Sequence, residues 1–281
     1  MPMITIHECL YKATQKLKGM TTLARFEAEI LLAHVLEKPR SYVHAWGDEL
    51  ILADVLDRFD QYLHRRCHHE PIAYLTGKKE FWSLPLSVNS HTLIPRAETE
   101  LLVECVLNYF NHSPIHIADL GTGSGAIALA LAHERPHWHI YATDQSEEAL
   151  YLARKNAEQL VLDKLIFCQG DWLSALPLIA FDVIVSNPPY LSITEYQKGT
   201  RALTYEPPSA LISGVDGLDD IRIIIETAKT YLKPQGMLLI EHGASQGQAV
   251  REIFITHGYV SVESRHDLSS LERVTKGVKN S

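Results

Sequence analysis

The residues that could carry the most chemistry are Asn187-Pro188-Pro189-Tyr190, which follow the run Val183-Ile184-Val185-Ser186. Such a run reads as a buried parallel strand. The prolines forbid its continuation, because neither can donate a ladder hydrogen bond and both fix φ. Asn187 is therefore expected at the carboxyl end of a central strand, where open α/β sheets bind ligands. Its carboxamide brings one acceptor group and two donors. The Pro188 carbonyl adds a second acceptor on stiff backbone, and Tyr190 adds a flat face. Two acceptors and a flat face suit a planar group bearing NH2, either an amide or an exocyclic base amine. The bland alternative, a loop turned by Pro-Pro, is disfavoured by a second motif upstream.

That motif begins with the short apolar strand His116-Ile117-Ala118-Asp119-Leu120 and runs into Gly121-Thr122-Gly123-Ser124-Gly125, ahead of a helix over residues 126–132. Glycines permit a tight turn and close ligand approach, and the following helix start offers free N–H groups. A lone Gly-rich loop is a weak signal. It gains weight from the next strand, Ile140-Tyr141-Ala142-Thr143-Asp144, whose last residue lies 19 positions beyond Gly125. A carboxylate there can accept both ribose hydroxyls. The competing reading of Asp144 is a helix cap ahead of Glu147 and Glu148.

These residues need a sheet to position them, and the pattern supplies one. Helix 147–160 precedes strand 164–169, which Gly170-Asp171-Trp172 closes; strand 181–186 leads into Asn187. Helix 219–232, stopped by Pro234 and Gly236, leads to strand 237–241. Helix 246–257 leads to strands 259–265 and 273–278, a hairpin expected at the edge of the sheet. The fold class is α/β, a doubly wound Rossmann-like sheet with an antiparallel final strand.

The first third reads differently. Leu23, Phe26, Ile30, Leu31 and Val35 repeat at helical spacing, with Thr21 or Thr22 as a cap and Pro39 as a stop. A second helix runs from about Leu52 to His68, with Val55, Phe59 and Leu63 on one face. Residues 1–70 are thus a small helical bundle, serving packing or substrate recognition. Cys67-His68-His69 invites a metal reading, but neighbours on a helix point in different directions; no metal is expected. Residues 71–96 form a β-hairpin connector, built on the strand-like run Phe81-Trp82-Ser83-Leu84-Pro85-Leu86-Ser87-Val88 with Gly77 and Asn89 as turn candidates. Residues 97–281 form the catalytic domain and open on a helix. Thr99 and the nearby acids are first-turn residues, while Arg96 either precedes that helix idly or faces an anionic ligand.

Composition narrows the function. At 281 residues with 46% apolar content, the chain suits one large and one small domain. No run approaches bilayer length, and no basic segment leads an apolar one at the N-terminus, so a cytoplasmic protein without membrane attachment is expected. Cys9, Cys67, Cys105 and Cys168 are scattered with no CxxC pair, as in a reducing compartment. Residues 97–281 hold 14 Lys and Arg against 23 Asp and Glu. An acidic catalytic half is poorly suited to a phosphate backbone, so nucleic acid is disfavoured as a partner.

Taken together, the 119–125 loop, Asp144, Asp171-Trp172 and Asn187-Pro188-Pro189-Tyr190 resemble the Rossmann-like S-adenosylmethionine-dependent methyltransferases. More narrowly, Pro71-Ile72-Ala73-Tyr74-Leu75-Thr76-Gly77, Phe81-Trp82, Thr92-Leu93-Ile94-Pro95-Arg96, Tyr205-Glu206-Pro207, Ile240-Glu241-His242-Gly243 and Glu272-Arg273-Val274 resemble the release factor glutamine methyltransferases. One departure is Ala97, where that family usually carries a second proline. The resemblance implies methylation of the glutamine side-chain amide in the Gly-Gly-Gln motif of bacterial peptide chain release factors, supporting translation termination. It implies S-adenosylmethionine as cofactor, leaving as S-adenosylhomocysteine. Gly121, Thr122, Gly123, Ser124 and Gly125 would cradle its methionine part, Asp144 its ribose, and Asp171 and Trp172 its adenine. Asn187, Pro188, Pro189 and Tyr190 would grip the substrate amide, with Asn187, Pro188 and Tyr190 catalytic. The alternatives are a ribosomal-protein glutamine methyltransferase and an adenine-N6 or guanine-N2 nucleic-acid methyltransferase.

Overall fold

The computed structural model describes residues 4–110 and 113–280. Its contacts divide the chain into two compact units, residues 1–78 and 79–281.

The first unit is helical. A two-residue pair of strands, β1 (Ile4–Thr5) and β2 (Leu50–Ile51), ties its ends around α1 (Ile6–Leu17), α2 (Ala24–Leu36) and α3 (Arg40–Ala45); α4 (Ala53–Cys67) and α5 (Ile72–Thr76) follow. Thr5 starts α1 with a reciprocal capping box to Glu8. The α2 face departs from the spacing-based expectation. Ala24, Ala28, Leu31, Leu32 and Val35 are buried, whereas Leu23 and Phe26 are exposed and Phe26 lies under the Arg40 guanidinium. Small alanines let α2 pack closely, so the larger Phe26 is left to an exposed cation–π contact.

The second unit opens with the hairpin β3 (Lys78–Phe81) and β4 (Leu84–Ser87). The strand-like run 81–88 is broken at Trp82-Ser83, both of positive φ (51° and 60°). A two-residue turn of this hand matches strand twist but strains non-glycine residues. Tertiary anchors offset that strain: Trp82 N donates to Glu100 at 2.8 Å, and its indole Nε1 donates to Glu134 at 2.8 Å. A 3-10 turn (Ala97–Thr99) then leads into α6 (Glu100–Tyr109).

Next comes the alternating half: β5 (His116–Leu120), α7 (Ala126–Glu134), β6 (His139–Asp144), α8 (Glu147–Gln159), β7 (Ile166–Gln169) and β8 (Phe181–Ser186). It continues through α9 (Ile193–Lys198), α10 (Asp219–Tyr231), β9 (Leu232–Glu241), α11 (Gly247–Thr256), β10 (Tyr259–His266) and β11 (Glu272–Lys279). The seven strands lie in the order β10-β11-β9-β8-β5-β6-β7. Only β11 runs opposite to the other six strands. With β10 it makes the hairpin expected at the edge of the sheet, β11 lying inside against β9 and β10 forming the edge strand. Residues 274–278 of β11 are all buried while β10 is largely exposed, so burial selects the inner place.

α10 ends at Tyr231, and β9 starts at once, with Pro234 inside a register shift between β8 and β9. Alternate strand residues feed two cores. Ile117, Val183 and Val185 face α6 and α7; Ala118, Leu120 and Ile184 face α10 and α11. α7 is buried all round from Ala126 to Ala132, which accounts for its unbroken apolar run.

Candidate active site

The sheet winds outward in both directions from β5 and β8, so its switch point lies between these two strands. The register pairs Leu120 with both Thr143 and Ser186, and Ser186 with Ile240. One residue beyond, the carboxyl edge carries Asp144, Gly121, Asn187 and Glu241 in a row. Hydrogen-bond register alone puts these four side by side.

A cleft of about 1050 Å³, counting its open mouth, lies over this row. Gly121, Thr122, Gly123, Ser124, Asp144, Asp171, Trp172, Asn187 and Pro189 line it. Gly125, Pro188 and Tyr190 are not lining residues. Gly125 caps α7 at φ 86°, and a Cβ there would stand 3.0 Å from Leu129 and 3.2 Å from Ala153. Pro188 is buried, and the Tyr190 carbonyl accepts from Gln246 Nε2 at 3.0 Å.

The glycine wall is braced from beneath. Asp119 is fully buried; its Oδ2 accepts from Thr122 Oγ1 at 2.6 Å and from Ala128 N at 3.2 Å. Burial pushes the Asp119 carboxyl up to about 7 against the pull of those bonds. Gly121, at φ 68°, packs so close to Trp172 that a Cβ would lie 3.0 Å from the indole Cζ3. The indole and the loop backbone therefore face one another with no room for a side chain between them. Asp144 Oδ2 accepts from Gly123 N and Oδ1 from Ser146 N, each at 2.9 Å. Its carboxyl is raised, chiefly by burial. Each oxygen keeps a second lone pair, so Asp144 can still accept hydroxyls. The cap of α8 is Ser146, which accepts from Ala149 N, and not Asp144. Asn156, on α8, ties the loop to the hairpin: Nδ2 donates to the Ser124 and Ser87 carbonyls, and Oδ1 accepts from Ser87 N.

The opposite wall holds Asn187. Its Nδ2 donates to Thr99 Oγ1 at 3.0 Å, and its Oδ1 is buried with no partner. A buried acceptor left unpaired costs about 1–3 kcal/mol, so it signals a missing donor. Beside it Glu241 is fully buried, its carboxyl facing the Thr99 hydroxyl and the Tyr190 phenol, with Oε2 left without a partner. Burial pushes the Glu241 carboxyl up to about 7 and raises the Tyr190 phenol well above its ordinary value. Glu206 staples the strand-like segment ahead of Thr99, accepting from Ile94 N at 3.0 Å and pairing with Arg96. Arg96 thus has a carboxylate partner within the chain.

The sequence pattern assigns no role to Glu206, Glu241 or Asn156 and reads Thr99 as a first-turn helix residue. One signal was available: Glu241 closes an apolar strand with an acid, as Asp144 does.

Comparison with known proteins points one way. A methyltransferase domain family model matches residues 111–270, and a PrmC N-terminal domain model matches residues 8–77. The chain is 47% identical over 256 residues to the release factor glutamine methyltransferase of Xylella fastidiosa, covering 91% of this chain and 93% of that one. The Shewanella oneidensis protein of the same name is 42% identical, covering 97% and 95%. The Escherichia coli one is 46% identical, covering 90% and 91%. Among solved structures, a Pyrococcus furiosus methyltransferase superposes with TM-score 0.53 at 20% identity, covering 70% of this chain and 90% of that one. The hMettl16 catalytic domain superposes at 0.58 and 17%, covering 71% and 77%. These two likenesses concern the fold.

Proposed function

We infer the activity from a plain premise: the chain belongs to the release factor glutamine methyltransferases. It transfers a methyl group from S-adenosylmethionine to the N5 amide nitrogen of the glutamine in release factors. The observation that carries the site assignment is the Asn187 carboxamide on the cleft wall, its Oδ1 buried and unpaired, in the same cleft as a loop whose Gly123 has open space beside it.

The residues present fit S-adenosylmethionine. The Gly121, Thr122 and Gly123 backbone would border its methionine part. Asp144, with lone pairs to spare, would take the ribose hydroxyls, and Asp171 and Trp172 would flank the adenine. When bound, the cofactor supplies a methyl activated by a sulfonium.

The chain itself has to position and polarise a poor nucleophile, since an amide lone pair is delocalised into its carbonyl. Asn187 Oδ1 and the Pro188 carbonyl would each accept one N–H of the glutamine NH2. Holding both hydrogens fixes the amide plane and favours lone-pair density toward the methyl. Orientation of this kind supplies roughly 7–11 kcal/mol in the best intramolecular models. Tyr190, packed behind the wall, keeps the loop in place. No general base is needed, because an N-alkylated amide cation loses its proton readily to water.

The partner is the Gly-Gly-Gln domain of a release factor, and the location proposed is cytoplasmic. Among the described residues no helix is long and apolar enough to cross a membrane. The division into recognition bundle (1–70), hairpin connector (71–96) and catalytic domain (97–281) is likewise proposed. The test is incubation with labelled S-adenosylmethionine and nuclease-treated release factor, wild type and with the motif glutamine changed to alanine. Label is expected only on the wild type; label on the altered factor overturns the substrate assignment.

A further inference from the structure

The orphaned Oδ1 of Asn187 raises a question of polarity. A carboxamide can present either its oxygen or its NH2 on a given side, and the two ends are nearly equal in shape. Gripping an NH2 requires the oxygen. Nothing in the Asn-Pro-Pro-Tyr loop itself decides which end is presented.

The neighbours on other elements do decide it. Glu241 follows the Ile240–Ser186 register pair and so lies beside Asn187 in the adjacent strand. Thr99, 4% exposed, comes from the turn ahead of α6 and contacts both residues. Ionised, the Glu241 carboxylate can only accept, and the Thr99 hydroxyl that faces it has a single proton to give. With that proton spent, Thr99 Oγ1 can only accept from Asn187. The observed Nδ2–Oγ1 contact of 3.0 Å is that arrangement, and it leaves Oδ1 over.

We propose that Glu241 and Thr99 are positioning residues, a two-member hydrogen-bond relay that fixes the Asn187 carboxamide with its oxygen available to the substrate NH2. The relay rests on the reading of Asn187 as the amide grip. The other charged groups facing Glu241 are Arg273 from β11 and Glu98 from the turn before α6, with the Tyr190 phenol from the loop after β8. None of them can replace Thr99 at Asn187, which touches Thr99 through Nδ2.

The experiment measures single-turnover methyl transfer to release factor, both partners saturating, at a pH well above 7 where Glu241 is ionised. The variants are Asn187→Ala, Thr99→Val, Thr99→Ser, Glu241→Gln and the Thr99→Val/Glu241→Gln pair. Calorimetry gives the S-adenosylhomocysteine affinity of each, which also certifies the fold. Thr99→Val is expected to slow transfer about tenfold to a hundredfold, with KM for release factor and cofactor affinity changed by less than about threefold. Thr99→Ser keeps the hydroxyl and is expected within about threefold of wild type. Glu241→Gln can donate to Thr99, which frees the Thr99 proton to occupy Asn187 Oδ1, so it is expected to be slow as well. The pair is expected to be no slower than its slower member, because both act through one chain of bonds.

Thr99→Val at the wild-type rate beside an inactive Asn187→Ala overturns the relay alone. Multiplicative losses in the pair also overturn it. An active Asn187→Ala overturns the amide grip and the relay together. Should Glu241→Gln fail to fold, the Thr99→Val and Thr99→Ser pair decides.

Discussion

The hydrogen bonds beneath the glycine wall of the cleft span 3, 9 and 21 residues of chain. Those that hold the Asn187 wall span 88, 110 and 112. The glycine wall is one strand–loop–helix unit plus the end of the next strand. The Asn187 wall is collected from the segment after the hairpin, the end of β8, the end of β9 and the 3-10 turns around Glu206. Contacts that close short loops leave a compact signature in the chain, whereas contacts across a hundred residues exist only once the sheet has set its register. The wall that is hardest to assemble is also the one on which the proposed chemistry depends.

Changing one residue on each wall should expose that difference. The largest effect is expected for Asn187→Ala, a loss of about 100- to 1000-fold in single-turnover transfer, as for removal of a comparable electrostatic contact. S-adenosylhomocysteine affinity should stay within about twofold, because the glycine wall is braced independently. Near-wild-type transfer would erase the distinction between the walls.

Each wall also buries one acid, Asp119 or Glu241, pushed up to about 7 by burial. In the unfolded chain both titrate lower, so the folded state binds more protons between the two values. The stability they contribute is therefore full below their unfolded pKa and is lost as pH rises through about 7. Urea unfolding from pH 4.5 to 8 should show Glu241→Gln and Asp119→Asn each flattening that fall by on the order of 3 kcal/mol. A slope unchanged in Glu241→Gln would mean that the carboxyl is ionised throughout and the wall more open than its burial implies.

Asp144→Ala should weaken S-adenosylhomocysteine by about 1–3 kcal/mol in calorimetry, the cost of lost hydrogen bonds to a charged acceptor. Its effect should fall on affinity, in contrast to that of Asn187→Ala on rate. Smallest, Gly121→Ala should destabilise the protein by about 1–2 kcal/mol, since φ 68° disfavours any Cβ. Thermal melts should show the loss, to which the added methyl's 3.0 Å approach to the Trp172 indole contributes.

The sequence was most informative where physics is local. The apolar runs ending in Leu120, Thr143 and Ser186 marked buried parallel strands, and the loop, the acid and the Asn-Pro-Pro-Tyr stretch that follow them all reach the cleft edge. The α/β class followed from that alternation. It was least informative where packing overrode propensity. Trp82-Ser83 turns left-handed inside a strand-like run because Glu100 and Glu134 hold it there. Phe26 is exposed because alanines pack α2 more closely.

Composition and spacing by themselves determined the element order, the strand ends and the residue types presented at them, because backbone sterics and apolar periodicity act within a few residues. The tertiary structure alone decided that Glu241 stands beside Asn187, that Thr99 joins them, and that Glu206 rather than a ligand pairs with Arg96. Register sets which residues are neighbours across strands, and register depends on the whole sheet closing at once. Within any one stretch, Glu241 and Thr99 are an acid at a strand end and a threonine before a helix, with nothing to show that they face one another beside Asn187.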